Sequence, residues 1–337
     1  MALILIPITF TNQHTPLLAV WLLIMIIPVM SIAGKNNFEL SIKELRDNYP
    51  FMASDIIIER LKEENKDYFV FTYSFTTMNK KMSGLLVYPK KNPLGVILCF
   101  RGYSPNKGYY TGKGSQNTMK YYATHEYMAI SLDFFGYGSS DDFVLENSHF
   151  SRYIMAISAV ELYKSLNEKS ILNKINKVVI EYPKNFFMWG HSNGGQVAIT
   201  ATEILGERIA ITLWEPVSKP WPYSMTHYIK DNIEEGKELR EWIKNIFEKD
   251  YDTNSYSLLY NVNLIADGSA IQLHQGTKDY AVPISWSNDF EAAIKKDNET
   301  RQNKIIFNYY IYKGADHNIS QNWYEALNRD ILFFKSF

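Results

Sequence analysis

Asn185-Phe186-Phe187-Met188-Trp189-Gly190-His191-Ser192-Asn193-Gly194-Gly195, continuing Gln196-Val197-Ala198-Ile199-Thr200-Ala201-Thr202-Glu203-Ile204-Leu205-Gly206, is the stretch on which the reading of this chain turns. The apolar run from Phe186 to Trp189 has the length and two-sided hydrophobicity of a strand buried inside a parallel sheet. After the glycines, Val197, Ala201, Ile204 and Leu205 fall on one helical face. A strand therefore meets a helix at Ser192. A sharp turn there lifts the hydroxyl clear of the sheet, with Gly190 and Gly194 standing where a Cβ would collide. The first helical N–H groups, beginning with Asn193, then point towards an oxygen on which negative charge develops. A G-x-S-x-G match alone is equally compatible with a plain strand–turn–helix connection. The flanking strand and helix patterns raise it above that, and Ser192 is the candidate nucleophile.

Composition narrows the class. The chain has 337 residues, 46% hydrophobic and 15% aromatic, enough to bury a large core in one α/β domain. Lys+Arg 35 against Asp+Glu 36 gives a net charge of -1, so there is no basic field for nucleic acid and no acidic tail. The single cysteine, Cys99, sits in an apolar strand-like run and reads as a small buried hydrophobe, which leaves no intramolecular disulfide. Seven scattered histidines, with neither H-E-x-x-H nor C-x-x-C, imply no metal and no cofactor.

No Asp, Glu, Lys or Arg precedes Lys35, and residues 16–33 are almost wholly apolar. Ser31 and Ala33 put small residues at the -3 and -1 positions of a cleavage site before Gly34, so residues 1–33 are expected to act as a signal peptide for export, periplasmic or secreted. The run is also close to the roughly 20 residues of a spanning helix, and it lacks a basic leader, so a retained membrane anchor is the alternative. Either way, membrane contact is confined to residues 16–33.

The rest reads in order. Residues 38–64 suggest short helices outside the domain, and residues 67–76 and 81–88 an antiparallel hairpin at the sheet edge, turning at Met78-Asn79-Lys80. Strands are expected at 96–100, 126–133, 209–213, 270–274 and 304–312, with helices at 149–168 and 323–337. This alternation implies an α/β fold over residues 38–337, with a doubly wound, mainly parallel sheet whose site lies at the carboxyl ends of the strands. Residues 219–262, rich in proline and aromatics around a charged helical stretch, read as a helical lid insertion or as an extra surface helix pair with its own small core.

A serine hydroxyl is a poor nucleophile near neutral pH and needs a base, itself held by an anion. Ser192, Asp279 and His317 each follow an expected strand of one parallel sheet and occur in the order Ser, Asp, His. Asp316 is a rival acid, but a chain neighbour rarely faces the far nitrogen of the ring. His191 and His274 read as structural.

On these residues the chain, from about residue 50 to the C-terminus, resembles the α/β-hydrolase superfamily. It looks most like the catalytic domain of prolyl oligopeptidase-type serine peptidases and the related dienelactone-hydrolase and esterase branches. Gly190-His191-Ser192-Asn193-Gly194-Gly195 is similar to their elbow, and His274-Gln275-Gly276-Thr277-Lys278-Asp279 with Val282-Pro283 to their acid loop. Gly314-Ala315-Asp316-His317 is similar to their histidine loop, and residues 133–139 to their glycine-rich loop. The resemblance implies a triad of Ser192, Asp279 and His317. It also implies an oxyanion hole formed by Asn193 and by the Tyr103 amide, with Gly102 next, although Arg101-Gly102-Tyr103 stands where relatives commonly carry His-Gly-Gly or Tyr-Gly-Gly. The oligopeptidases' N-terminal propeller has no counterpart here, so their recognition of peptide termini does not carry over.

The resulting expectation is a serine hydrolase that passes through an acyl-enzyme, acting on a small, mostly apolar carboxylic ester ahead of a short peptide. A non-catalytic α/β-hydrolase-fold binding protein is the alternative from another class. Trp214, Glu215, Trp221 and Tyr223 are expected around the substrate pocket, with Glu215 holding a substrate ammonium or pairing with a lid lysine. Activity is expected to rise through one ionisation of His317 in the region of about pH 6 to 7.

Overall fold

The computed structural model describes residues 40–145, 147–173 and 179–337. The apolar segment 16–33 and the expected cleavage site lie outside the described residues. After helix α1 (Ile42–Asn48) the chain enters the sheet through β1 (Ile56–Glu64), β2 (Tyr68–Thr77) and β3 (Lys80–Pro89), which pair antiparallel in sequence order. Met78 and Asn79 form the two-residue turn between β2 and β3, with φ of 49° and 59°. Two successive positive φ values give a turn whose twist matches that of its strands.

Two expectations fail at this end of the sheet. Residues 56–64 are a strand and not helices, because the β-branched run Ile56-Ile57-Ile58 finds a partner in β2 and buries alternate residues, Ile56 and Ile58, against the core. The hairpin is also interior. The strand order is β10-β9-β8-β7-β4-β5-β3-β2-β1-β6, so β1 and the short β6 (Ile171–Asn173) lie outside it.

The parallel half follows the expected alternation. β4 (Gly95–Phe100), α2 (Gln116–Thr124), β5 (Tyr127–Leu132), α3 (Ser151–Glu168), β7 (Phe186–His191), α4 (Asn193–Leu205) and β8 (Ala210–Trp214) come in turn. After the insertion come β9 (Ala270–Gly276), α7 (Ile284–Asp297), β10 (Ile306–Tyr312) and α8 (Trp323–Ser336). The central strands β4, β5, β7 and β8 are apolar along most of their length, and β9 is buried throughout although it carries Gln272, His274 and Gln275, because helices cover both faces. Every strand from β4 to β10 in this half pairs in parallel with its neighbours there, so their carboxyl ends share one edge.

The segment between β8 and β9 carries α5 (Glu234–Trp242), a π-helical turn (Ile243–Phe247) and α6 (Glu248–Asp250). Its aromatics form a small core of their own. Trp221 packs edge-on against Phe247 at 5.1 Å and tilted against Phe150 at 4.9 Å. The Trp221 indole N–H donates to the His149 carbonyl at 3.1 Å, rooting this core at the start of α3.

Candidate active site

The turn from β7 into α4 has the geometry its glycines permit. A Cβ on Gly194 would fall 1.9 Å from the Phe100 carbonyl oxygen, and one on Gly190 would fall 2.4 Å from that of Gly194. Ser192 itself sits at φ 56°, ψ -119°, a left-handed conformation that costs an L-residue about 1–3 kcal/mol. Its neighbours hold it there: the Ser192 N–H donates to the Trp214 carbonyl at 2.9 Å, and the Ser192 carbonyl accepts from Val217 N–H at 3.0 Å. Ser192 is thus tied to the end of β8 while its side chain stands at the carboxyl edge.

Asp279 lies in the loop after β9 and His317 in the loop after β10. His317 Nδ1 donates to Asp279 Oδ2 at 2.8 Å. The other Asp279 oxygen accepts from the Ala281 and Val282 N–H groups at 2.8 and 2.9 Å. Burial pushes the Asp279 carboxyl up, but the bond to His317 and the two amides outweigh it and leave it below its usual value. Glu215, just past β8 and fully buried, brings Oε2 to 3.3 Å from the same nitrogen of His317. For His317 burial acts downward, yet the hydrogen bond to Asp279 and the nearby carboxylates of Asp279 and Glu215 push it up to about 9.

His191 Nε2 donates to the His317 carbonyl at 2.9 Å, which fixes its tautomer and steadies the histidine loop. Burial pushes His191 down to about 4, so it stays neutral there. Among the described residues Ser192 Oγ and His317 Nε2 have no hydrogen-bond partner, and the bond between them is open in this structure. Free enzymes commonly hold that contact long and tighten it around substrate. His191, Glu215 and His317 each present a ligand atom within 4.8 Å of the others. His191 Nε2 and Glu215 already face the carbonyl and Nδ1 of His317, so these two read as supports of the His317 ring.

The Asn193 N–H heads α4 with no protein acceptor among the described residues, and neither the Gly102 nor the Tyr103 N–H has one. Gly102 comes close to the serine, since a Cβ there would lie 3.1 Å from Ser192 Cβ. Two loops thus bring unpaired amides to the serine's edge.

No protein-family profile matches the sequence, and no curated protein does. Solved structures do. Acetyl xylan esterase 1 from Thermoanaerobacterium sp. superposes with a TM-score of 0.59 at 12% identity, over 87% of this chain and 92% of that one. The acetyl xylan esterase from Paenibacillus sp. R4 gives 0.58 at 14% identity, over 86% and 91%. The acylaminoacyl peptidase from Pyrococcus horikoshii gives 0.55 at 16% identity, over 81% of this chain but only 41% of that one. The chain has the α/β-hydrolase fold.

Within the α/β-hydrolase fold Trp214, Glu215, Trp221 and Tyr223, expected around the pocket, take separate places. Glu215 is wholly buried, accepts from Gly276 N–H at 2.8 Å and pairs with no lysine among the described residues. It faces the histidine, because the carboxyl end of β8 lies beside that of β9. Trp214 turns to the α8 side, where its indole N–H donates to Asp330 at 3.0 Å and its ring borders a cavity of about 380 Å³ shared with His191 and Trp323. Trp221 is buried in the insertion's own core, and the Tyr223 hydroxyl donates to Glu248 at 3.0 Å. Asp316 is occupied by Ser320 and the Asn318 N–H and does not contact the ring.

One brace escaped the sequence reading. Arg101 packs against both Tyr109 and Tyr137, with its guanidinium 4.7 and 4.3 Å from their ring centres, and donates to the Asp133 carbonyl at 2.9 Å. Asp133, fully buried, accepts from Ser83, Tyr109 and Thr111 hydroxyls and the Gly112 N–H. The chain therefore fixes its 101–103 loop through an arginine clamp. The sequence signal was Arg101 itself, at the end of the apolar run of β4.

Proposed function

We propose that this chain is a serine hydrolase that cleaves carboxylic esters through an acyl-enzyme on Ser192. The observation that carries the reading is a serine in strained left-handed geometry at a helix head, on the same sheet edge as a histidine whose Nδ1 is held by a buried carboxylate. Ser192 Oγ attacks the substrate carbonyl carbon as its proton passes to His317 Nε2. The oxyanion is received by the Asn193 amide and that of Tyr103, with Gly102 as the adjacent donor. Collapse expels the alcohol with the proton from Nε2, and water repeats the sequence to release the acid. Asp279 stays ionised throughout and holds the ring.

Amide cleavage by the same groups is the second reading, and coverage favours the ester. The two acetyl xylan esterases are matched over 92% and 91% of their length, whereas the acylaminoacyl peptidase has more than half of its chain outside the match. A small acyl group suits a site whose neighbouring insertion fills its own aromatic core. The substrate is therefore a small-molecule ester, and the reading includes a lid role for residues 219–262 and export through residues 1–33, with protein from a native host beginning at Gly34.

The test compares activated acyl esters of increasing length with aminoacyl and prolyl amides, by kcat/KM, in wild type and Ser192→Ala. Loss of the nucleophile is expected to cost on the order of 10⁶ in rate. Equal rates in the two proteins would leave the binding-protein alternative standing, and amides turned over as well as esters would replace the ester reading with a peptidase.

A further inference from the structure

One carboxylate at the site has no part in the scheme above. Glu215 is 0% exposed, and its backbone is held at φ 48°, which an L-residue adopts only under constraint. Oε1 is anchored by the Gly276 N–H at 2.8 Å, in a space that exists because residue 276 is glycine: a Cβ there would lie 2.7 Å from Oε1. Oε2 has no hydrogen bond, although it is buried. It lies 3.3 Å from His317 Nδ1, beside the N–H that points at Asp279 Oδ2. A buried carboxylate oxygen without a donor is disfavoured and calls for an explanation. Among the described residues, the donor it faces is the ring that takes the serine's proton.

We propose that Glu215 is a second positioning carboxylate for His317, sharing the Nδ1 proton with Asp279. Two anions from neighbouring strand ends, Glu215 after β8 and Asp279 after β9, converge on one N–H. The ring can turn from one to the other without losing its partner, and the imidazolium formed when Nε2 takes the serine proton is stabilised by both. The proton balance is simple: Nδ1 keeps its hydrogen, Nε2 gains one from Ser192 and returns it to the leaving oxygen, and neither carboxylate needs to change charge.

The charged and titratable groups facing this ring are Asp279, Glu215 and His191. His191 is neutral near pH 7, so the carboxylates set the ring's basicity. Burial, acting first, raises Glu215 to about 7, so it supplies the second anion above that pH, and below it the carboxylate and the ring titrate as a coupled pair.

The inference rests on the reading of His317 as the base, and its test has one arm that needs no substrate. In that arm the His317 ring is titrated by NMR in wild type and Glu215→Gln, which keeps an acceptor for the Gly276 N–H. Removing one of two flanking charges is expected to lower the midpoint by about one unit or more, the size of effect a nearby opposite charge produces. In the second arm Asp279→Asn is compared with the Asp279→Asn/Glu215→Gln double variant. Where a single acid holds the ring, its amide costs about 10⁴ in kcat. Here Asp279→Asn is expected to lose only about 10², with the double variant falling a further 10² or so. An unchanged midpoint in Glu215→Gln, or Asp279→Asn as inactive as the double variant, would overturn the proposal. If Glu215→Gln fails to fold, Asp279→Asn alone still decides, because a 10⁴ loss with Glu215 intact denies it the role. If no substrate is hydrolysed at all, the titration still reports on Glu215, and the failure belongs to the catalytic reading.

Discussion

Two histidine–carboxylate pairs of nearly equal length lie on opposite sides of one question. His317 meets Asp279 at 2.8 Å at the carboxyl edge, and His274 meets Asp330 at 3.0 Å inside the core. The first ring keeps 25% of its side chain exposed, whereas the second pair is wholly enclosed. His274 has both nitrogens occupied, Nε2 by Asp330 and Gln272, and Nδ1 by the Tyr312 hydroxyl at 2.7 Å. Asp330 takes further bonds from Tyr122, Thr212, Trp214 and Gln272, joining β8, β9, α2 and α8. His317 instead leaves Nε2 without a partner among the described residues. A carboxylate on one nitrogen makes a ring rigid. A free second nitrogen facing a serine's edge makes it a candidate base.

The largest expected effect separates the two rings by what they lose. His317→Ala should reduce kcat by on the order of 10⁶, with its unfolding midpoint little changed only above about pH 9, where the wild-type ring is neutral, since a missing base is as costly as a missing nucleophile. Asp330→Ala should do the reverse. Leaving five donors without their acceptor is expected to cost about 3–5 kcal/mol in urea unfolding, with kcat per folded molecule close to wild type. Rate loss at both sites, or at neither, would erase the distinction.

A middle-sized effect sharpens it through pH. A base must be neutral to accept the serine proton, and two carboxylates raise His317 to about 9, so kcat/KM should climb towards that pH and not level off near 6 to 7. The same shift has a stability sign. A group whose pKa is raised on folding stabilises fully below its unfolded value, near 6.5, and that contribution fades as pH rises through about 9. Urea midpoints measured from pH 6 to 10 should therefore lose this increment in wild type and lose less of it in His317→Ala. A profile flat from acid to alkali would remove His317 as the base.

The smallest effect concerns the insertion. Tyr223→Phe removes a partly exposed hydrogen bond to Glu248, so it should cost about 0.5–1.5 kcal/mol at most and leave kcat/KM within a few-fold of wild type. A large selective rise in KM for longer acyl chains would return Tyr223 to the substrate pocket.

What could be read from residues alone was local. The elbow was legible because Gly190, Gly194 and the change from a two-sided apolar run to a helical stripe encode a strand–turn–helix by themselves. The placement of Ser192, Asp279 and His317 after strands of one parallel sheet was legible for the same reason, as each strand announces itself by composition. Residues 56–64 were misread because a short apolar run carries no period that separates strand from helix, and only pairing with β2 decides it. α2 and α7 went unread, since their first turns carry neither acidic residues nor a side-chain cap.

The sequence by itself determined the fold class and the strand-end positions of the serine, acid and histidine, because each rests on local pattern. Tertiary structure alone decided which carboxylates face which ring. Glu215 reads as a pocket residue until the β8–β9 pairing turns it under His317, and Asp330 as one charge among many on a terminal helix until five donors from distant segments close on it. Such partners are set by strand order and packing between segments up to 208 positions apart, a separation over which sequence pattern carries no physical information.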